Sequence, residues 1–356
     1  MYTYKQIHKD FRLNGTFFTQ EDLLQIGCNY IKDGKDFQKA LGKFILDWFD
    51  NNPEITLQTS GTTGTAKQIT VTKQAMVNSA LATGSFFNLE PKDKALCCLP
   101  VNFIAGKMMF VRALVLGLDL DFIAPTAFPI KKSNKKYDFV AMSPMQVENS
   151  IDKLHLIKKL IIGGSKVSNP LQEKLIPLAT QSYETYASTE TLTHIAARQV
   201  GEEYFRLLPD INIELDPRGC LVIDAPRISQ QKIITNDLVE ITSENQFRWI
   251  GRIDNVVNSG GIKLSPENIE TKLTNKIPYR FFVGGIPDVI LGEKLVLVIE
   301  AKNYSLHENT FEKLDKYEKP KEIFFVPQFL ETESGKIKRK KIINYLGGSA
   351  PKVLKH

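Results

Sequence analysis

Between Asp36 and Asp50 the apolar residues Phe37, Ala40, Leu41, Phe44, Ile45 and Trp48 recur at intervals of three and four, which predicts a helix with one face against a core. An earlier helix is predicted from about Glu21, with Thr19 in the cap position. Short strand-like runs then alternate with helical ones. ITLQTS at 55–60 and ALCCLP at 95–100 read as strands, Thr72 can cap a helix running to about Phe86, and DFVAMS, KLIIGG and a helix from Asn169 to Leu178 continue the series. Such alternation predicts a layered α/β sheet with helices on its faces. From about Glu203 to Ile250 it gives way to short β runs broken by Pro and Gly (INIELD, CLVIDA, KIITND, FRWIG), which read as a small β subdomain.

Gly251, Gly260 and Gly261 punctuate GRIDNVVNSGGIKLSPENIE, and Ser265-Pro266-Glu267 then opens a helix with proline in its first turn. A boundary is expected there. Residues 1–252 would form a large N-terminal layered α/β domain with its small β subdomain, and 253–356 a small mobile C-terminal α+β domain. The second unit is expected to hold one helix, the strands YRFFVGG and KLVLVIEA, a helix at about Glu308 to Tyr317, and the strand KEIFFVP.

Composition agrees with a globular chain: 356 residues, 42% hydrophobic and 24% charged. The net charge of +6 raises a nucleic-acid or acidic-membrane partner. Its distribution narrows that suggestion, because residues 331–356 hold seven basic and two acidic side chains and the other 330 residues are almost balanced. Cys28, Cys97, Cys98 and Cys220 show neither CxxC nor paired spacing, which points to a reducing compartment. The polar start MYTYKQIHKDFRLNG lacks the apolar centre of a signal peptide, so a cytoplasmic protein is expected. The most apolar stretch, Met108 to Ala124, carries Arg112, Asp119 and Asp121, so no membrane span is expected.

Three segments carry chemistry. Thr59-Ser60-Gly61-Thr62-Thr63-Gly64-Thr65-Ala66-Lys67 places hydroxyls, two glycines and a lysine directly after a strand, which suits a cradle for phosphate; a Ser/Thr/Gly turn between strands is the other reading. It is not a Walker A loop, since Ala66 precedes Lys67 and Gln68 follows it. Tyr186-Ala187-Ser188-Thr189-Glu190-Thr191 offers a ring, hydroxyls and a carboxylate that can stack a base, bond a phosphate and hold Mg²⁺. A capped helix start is equally compatible with it. Asp237 could accept two ribose hydroxyls and Arg252 could donate to sugar or phosphate, although single residues of this kind usually sit in turns or on the surface.

Taken in order, these segments resemble the adenylate-forming superfamily of acyl-CoA synthetases, luciferases and nonribosomal adenylation domains, over roughly Leu57 to Lys341. TSGTTGTAK looks like the family's phosphate loop, GGS and YASTET its adenine and magnesium segments, TND its ribose segment, GRIDNVVNSGGIKLSPENIE its hinge and CoA-side motif, and SGKIKRKKI its C-terminal lysine loop. The resemblance implies a two-step ligase that uses ATP, Mg²⁺ and coenzyme A: a carboxylate attacks the α-phosphate of ATP, and after domain rotation the CoA thiol displaces AMP. It implies that Thr59, Ser60, Thr62, Thr63 and Lys67 hold phosphates, with Gly61 and Gly64 allowing close approach. Tyr186 would stack the adenine against Gly164 and Ser165, Thr189 would bond phosphate, Glu190 would bind Mg²⁺, and Asp237 and Arg252 would hold the ribose. Lys336 would stabilise charge at the α-phosphate. Asp254 would be the hinge, with Gly260, Gly261 and Lys263 facing the pantetheine.

The sequence departs from the family pattern at Asn236, Ala187 and Gln68, where glycine is usual, and it has far fewer residues before the phosphate loop. That short front, with LPVNFIAGKMMFVRAL and TETLTHIAAR, is similar to the o-succinylbenzoate:CoA ligases of menaquinone biosynthesis. Their substrate is an aromatic keto diacid, activated at its aliphatic carboxylate. Lys107, Arg112, His194 and Arg198 are the side chains that could receive the second carboxylate; Arg112 also reads as a snorkelling helix residue and His194 as a core histidine. Another aryl- or fatty-acyl-CoA ligase or a stand-alone adenylating enzyme is an alternative, and a nucleic-acid-binding protein using the basic tail is one of a different class. The expected partners are small molecules rather than nucleic acid.

Overall fold

The chain runs from β1 (Arg12–Leu13) through α1 (Gln20–Asp33), α2 (Asp36–Phe49), the antiparallel pair β2 (Glu54–Gln58) and β3 (Gln68–Thr72), and α3 (Lys73–Phe87). Next come β4 (Lys94–Cys97), α4 (Ile104–Leu116), β5 (Asp119–Phe122), β6 (Tyr137–Met142), α5 (Pro144–Glu148), β7 (Ile157–Ile162), α6 (Asn169–Leu175) and β8 (Gln181–Ala187). The computed structural model describes residues 2–58, 68–131, 133–188, 190–331 and 337–347. Local rules set several element starts. Thr19 Oγ1 accepts from the Asp22 amide at 3.2 Å while Asp22 accepts from the Thr19 amide at 2.9 Å, a reciprocal cap on α1. Thr72 caps α3 through the Ala75 amide at 3.1 Å.

After β8 the chain is mostly strand: β9 (His194–Gln199), β10 (Phe205–Leu207), β11 (Asn212–Leu215), β12 (Cys220–Asp224), β13 (Ile233–Ser243) and β14 (Gln246–Arg252). Twelve strands form one sheet in the order β1-β5-β4-β6-β7-β8-β9-β10-β14-β13-β12-β11. Strands from β1 to β8 pair in parallel, and from β8 onward every neighbour is antiparallel. The path ends on two short strands, β1 with two residues and β11 with four.

The parallel strands are buried on both faces, as coverage by helices requires. Successive residues take opposite sides: Ala95, Cys97, Phe139, Ala141 and Ile161 join the core under α1 to α4, with Phe44, Trp48, Met76 and Phe110. Leu96, Cys98, Val140, Met142, Leu160 and Ile162 join a second core with Leu171 and Leu175 of α6. The β runs after Glu203 have a third core of their own, around Phe205, Leu221, Ile223 and Phe247, yet hydrogen-bond continuously into the main sheet.

A 3₁₀ turn at Ile253–Asn255 separates this sheet from a second, five-stranded one. It contains β15 (Val257–Ser259), β16 (Ile262–Leu264), β17 (Phe281–Asp288), β18 (Gly292–Glu300) and β19 (Glu322–Val326), with α7 (Pro266–Leu273) on one face and α8 (Arg339–Gly347) on the other. The helix expected at about Glu308 to Tyr317 is instead a 3₁₀ turn, Glu308–Phe311, followed by further turns. Its apolar residues Leu306, Phe311 and Leu314 are spaced by five and three, which makes no continuous helical stripe, and Thr310 spends its hydroxyl on the His307 carbonyl at 2.7 Å. The second unit meets the first where Lys166 donates to Thr271 at 3.4 Å and Asn275 to Glu173 at 2.8 Å.

The packing of α4 gives a stability test. A Cβ on Gly106 would lie 2.4 Å from the Pro100 carbonyl oxygen, a backbone atom that cannot rotate away. Gly106→Ala is therefore expected to cost about 1–3 kcal/mol. The check is a lower midpoint of denaturant unfolding at an unchanged slope.

Candidate active site

The parallel strands β7 and β8 end side by side, which is where open α/β sheets leave a crevice for ligands. Gly163, Gly164 and Ser165 follow β7. Gly164 has φ +91°, and a Cβ built on it would find nothing within 4 Å, so the turn presents open backbone. Tyr186 lies at the end of β8. Tyr186 is 9% exposed, its ring edge-on to Phe205 and Phe247 at 6.0 and 5.2 Å. Its hydroxyl donates to Asp237 Oδ2 at 2.6 Å. Burial, reinforced by the Asp237 charge, holds the phenol far above its usual range, so it remains a donor.

Asp237 reaches this point because β13 and β14 pair it directly with Arg252. The Asp237 amide donates to Thr235 Oγ1 at 3.1 Å, and the buried Thr235 hydroxyl donates to the Leu221 carbonyl at 2.7 Å, which fixes the turn of the strand. Trp249 Nε1 donates to Asp237 Oδ1 at 3.2 Å, and Arg252 Nη1 lies 3.6 Å from the same oxygen. A carboxylate has about four lone-pair sites, so Asp237 keeps capacity for two hydroxyls of a sugar. Arg252 also donates to Asp254 at 2.8 Å, and Asn236 reaches both Asp254 oxygens at 3.3 Å. The Arg252 hydrogen bond holds the Asp254 carboxyl below its ordinary value. Tyr186, Asp237, Arg252 and Asp254 therefore form one polar cluster. Trp249 and Thr235 belong to it unforeseen: the β13–β14 register brings Trp249 there, and Thr235 lies two positions before Asp237 in the same strand.

Gly260 and Gly261 form the two-residue turn of the β15–β16 hairpin, with φ +60° and +83°, values a primed hairpin turn requires. Gly260 donates to the Leu291 carbonyl at 2.8 Å, and Lys263 is exposed on the same hairpin. Thr59 to Lys67, Thr189 and Lys336 lie outside the described residues. Glu190 is exposed and makes no ion pair among the described residues. Nor do those residues hold any group of three His, Cys, Asp or Glu able to cage a metal. That donor set fits Mg²⁺, which usually takes one or two carboxylates plus substrate phosphates and water.

A second polar cluster lies within the core. Arg112, on α4, is 2% exposed. Its Nε donates to Thr83 Oγ1 at 3.3 Å and its Nη2 to Thr193 Oγ1 at 3.0 Å, with His194 Nδ1 3.5 Å from Nη2. Among the described residues Nη1 has only the Met109 sulfur as a hydrogen-bond partner, at 3.8 Å. No carboxylate among the described residues pairs with this guanidinium, and burial draws its pKa down to about 10. His194 also lines a cavity of ≈ 210 Å³, walled by Leu81, Ala82, Leu208, Ile211 and Ile228. Ser79 lines it too, and the Ser79 hydroxyl is buried without a hydrogen-bond partner among the described residues.

The other two residues grouped with Arg112 do not join it. Lys107 is five positions earlier on α4, about 140° around the helix. Its Nζ donates to the Val101 carbonyl at 2.8 Å and sits 5.0 Å from the Phe44 ring centre. Arg198 pairs with Glu184 at 2.6 Å and lies 4.5 Å from the Phe205 ring centre. The even spacing of His194 and Arg198 suggests one strand face. However, the β8–β9 register shifts between Tyr186 and Ala187, leaving Ile195 unpaired, so His194 and Arg198 take opposite faces.

The fold is that of the adenylate-forming enzymes. The AMP-binding enzyme family model matches residues 50–218. An acyl-CoA synthetase (AMP-forming)/AMP-acid ligase II-like protein from Dyadobacter fermentans is 35% identical, with 90% of this chain and 98% of that one covered and a TM-score of 0.61. The chain belongs to the AMP-binding enzyme family, the AMP-forming ligases. It is also similar to the 2-succinylbenzoate–CoA ligase of Lactococcus lactis, 23% identical over 332 residues that cover 83% of this chain and 72% of the relative. The Bacillus subtilis o-succinylbenzoate coenzyme A synthetase, solved with AMP, shares the fold at a TM-score of 0.71 and 19% identity, with 84% and 69% of the two chains covered.

The buried imidazole makes stability depend on pH. Burial and then the Arg112 charge hold the His194 pKa well below 6.5. The Cys97 thiol beside Arg112 is pushed up to about 12 by burial and stays neutral. Below pH 6.5 the unfolded chain takes a proton at His194 that the folded chain refuses, so this contribution to stability is lost as pH falls. Denaturant unfolding at pH 7 and pH 5 is expected to show that fall, and His194→Gln to reduce it.

Proposed function

We propose that this protein is an ATP-dependent acid:CoA ligase that converts o-succinylbenzoate, ATP and CoA to 2-succinylbenzoyl-CoA, AMP and pyrophosphate through an acyl-adenylate, as a cytoplasmic enzyme of menaquinone biosynthesis. The observation that carries this choice of acid is Arg112, a fully buried guanidinium with no carboxylate partner among the described residues. Burying an unpaired charge is costly, and a substrate that brings a second carboxylate into the core offsets that cost. A monocarboxylic fatty acid has nothing to offer it. The small cavity that shares His194 with Arg112, apolar on most of its walls, suits an aromatic ring better than a long acyl chain. The names of the curated relatives support the same reading.

In the first half-reaction the aliphatic carboxylate attacks the α-phosphate and pyrophosphate leaves. Asp237 accepts the ribose hydroxyls, Arg252 donates beside it, and Tyr186 borders the adenine opposite the open backbone of Gly164 and Ser165. Thr59, Ser60, Gly61, Thr62, Thr63, Gly64, Lys67 and Thr189 hold the phosphates. Glu190 would hold Mg²⁺, which when bound neutralises charge on the phosphates. Lys336 stabilises the charge that develops at the α-phosphate. In the second half-reaction residues 253–356 turn about Asp254, the Gly260–Gly261 turn and Lys263 approach the pantetheine, and the thiol displaces AMP.

A panel of acids with ATP and CoA tests the reading. Thioester, AMP and pyrophosphate are expected with o-succinylbenzoate; strong turnover with benzoates or fatty acids and none with o-succinylbenzoate would refute it. Lys336→Ala is expected to abolish adenylation while leaving CoA transfer from preformed acyl-adenylate largely intact, and equal loss of both would overturn the role of Lys336.

A further inference from the structure

The hydroxyl of Thr83 has one proton, and its oxygen lies 2.9 Å from the Ser79 carbonyl, an acceptor without a proton of its own. Donation there leaves Thr83 Oγ1 as an acceptor for both other neighbours, Arg112 Nε and His194 Nε2, each at 3.3 Å. His194 Nε2 therefore carries the proton. A neutral imidazole protonated on Nε2 presents a lone pair on Nδ1, which lies 3.4 Å from the Thr193 hydroxyl and 3.5 Å from Arg112 Nη2. Thr193 in turn accepts from Nη2 at 3.0 Å and keeps its own proton for Nδ1. Every donor in this ring then meets an acceptor. A second proton on the imidazole would set N–H against N–H and place two cations in contact.

The same accounting sorts the guanidinium. Its side-on edge, Nε with Nη2, is filled by Thr83, Thr193 and His194. Among the described residues Nη1 has only a weak thioether acceptor, and it is the end left for a ligand oxygen.

We propose that His194 is a positioning residue, which as a neutral imidazole protonated on Nε2 holds the side-on edge of Arg112 and turns Nη1 towards the second carboxylate of the acyl substrate. It acts through Arg112 and makes no bond to the substrate acid itself. The proposal rests on the reading of Arg112 given above. Its consequence is selectivity: loosening Arg112 weakens diacids and leaves monoacids alone.

The test compares o-succinylbenzoate with 4-oxo-4-phenylbutanoate, the same acid without its ring carboxylate, by steady-state thioester formation with the full chain. His194→Leu is expected to raise KM for the diacid about tenfold, the order expected when hydrogen bonds to a charged group are lost. The KM for the monoacid and both kcat values should stay within about twofold, since the interaction removed is one of uniform binding. His194→Gln, whose amide can both accept and donate, should recover most of the diacid KM. Arg112→Gln separates the two levels. If it erases the preference for the diacid and His194→Leu does not, positioning by His194 is overturned and the substrate reading stands. If Arg112→Gln leaves the preference intact, the substrate reading falls. Equal rises in KM for both acids in His194→Leu also overturn the proposal. Thr193→Val removes the bridging hydroxyl of the same ring and serves for the comparison if His194→Leu does not fold.

Discussion

The junction between β8 and β9 sets the geometry on which both polar clusters depend. Up to β8 the sheet is parallel and its loops open at one end; at β9 the chain turns back beside itself and the sheet becomes antiparallel. Because the turn follows β8 directly, Tyr186 near its end and Glu190 within the turn stay at the open end instead of being drawn into a crossover helix. The unpaired Ile195 then shifts the phase of the returning strand. One extra residue sends His194 into the core towards α3 and α4 and leaves Arg198 to anchor Glu184, whose other oxygen accepts from the Val167 amide at 3.0 Å. The loop carrying Gly164 is thereby tied down by the same strand pair that buries the histidine.

The two clusters solve opposite electrostatic problems. Around Asp237 the charges are paired and partly hydrated, with Arg252 standing between Asp237 and Asp254 at the end of the first sheet. Around Arg112 a single charge is surrounded by hydroxyls, an imidazole and a thioether, all of them neutral. Neutral donors and acceptors can orient a guanidinium, but they do not repay its lost hydration. In the first arrangement the bonds to Asp237 are partly buried and those to Asp254 are exposed to water. The second is rigid, held by α3, α4 and β9 together.

Much of this was readable from residue order alone. Short apolar runs marked β4, β6 and β7, because burial on both faces leaves few polar positions to mislead; Thr19 and Thr72 marked helix starts through hydrogen bonds that are local in sequence, and Ser265-Pro266 marked one through the proline in its first turn. Asp237, Arg252 and Tyr186 were recognisable as a set by their order along the chain. Trp249 was not, since its bond to Asp237 depends on a β13–β14 register with its own shift at Leu238. Thr83 and Thr193 were equally hidden: they meet Arg112 across 29 and 81 positions of sequence. The separation of Arg198 from His194 was hidden too, because it depends on the bulge at Ile195. The segment after Leu306 misled because apolar residues spaced five and three apart can pack from a series of turns as well as from a helix.

The ends of the large sheet carry a further consequence. A long exposed edge strand is a template on which another chain can add by backbone pairing. Here one border is β1, two residues of ladder, and the other is β11, four residues with Glu214 tied to Lys232 at 2.8 Å. Neither offers enough unpaired backbone to seed a stable addition. A sheet of twelve strands thus ends at both sides before it can become a surface for stacking copies of itself edge to edge.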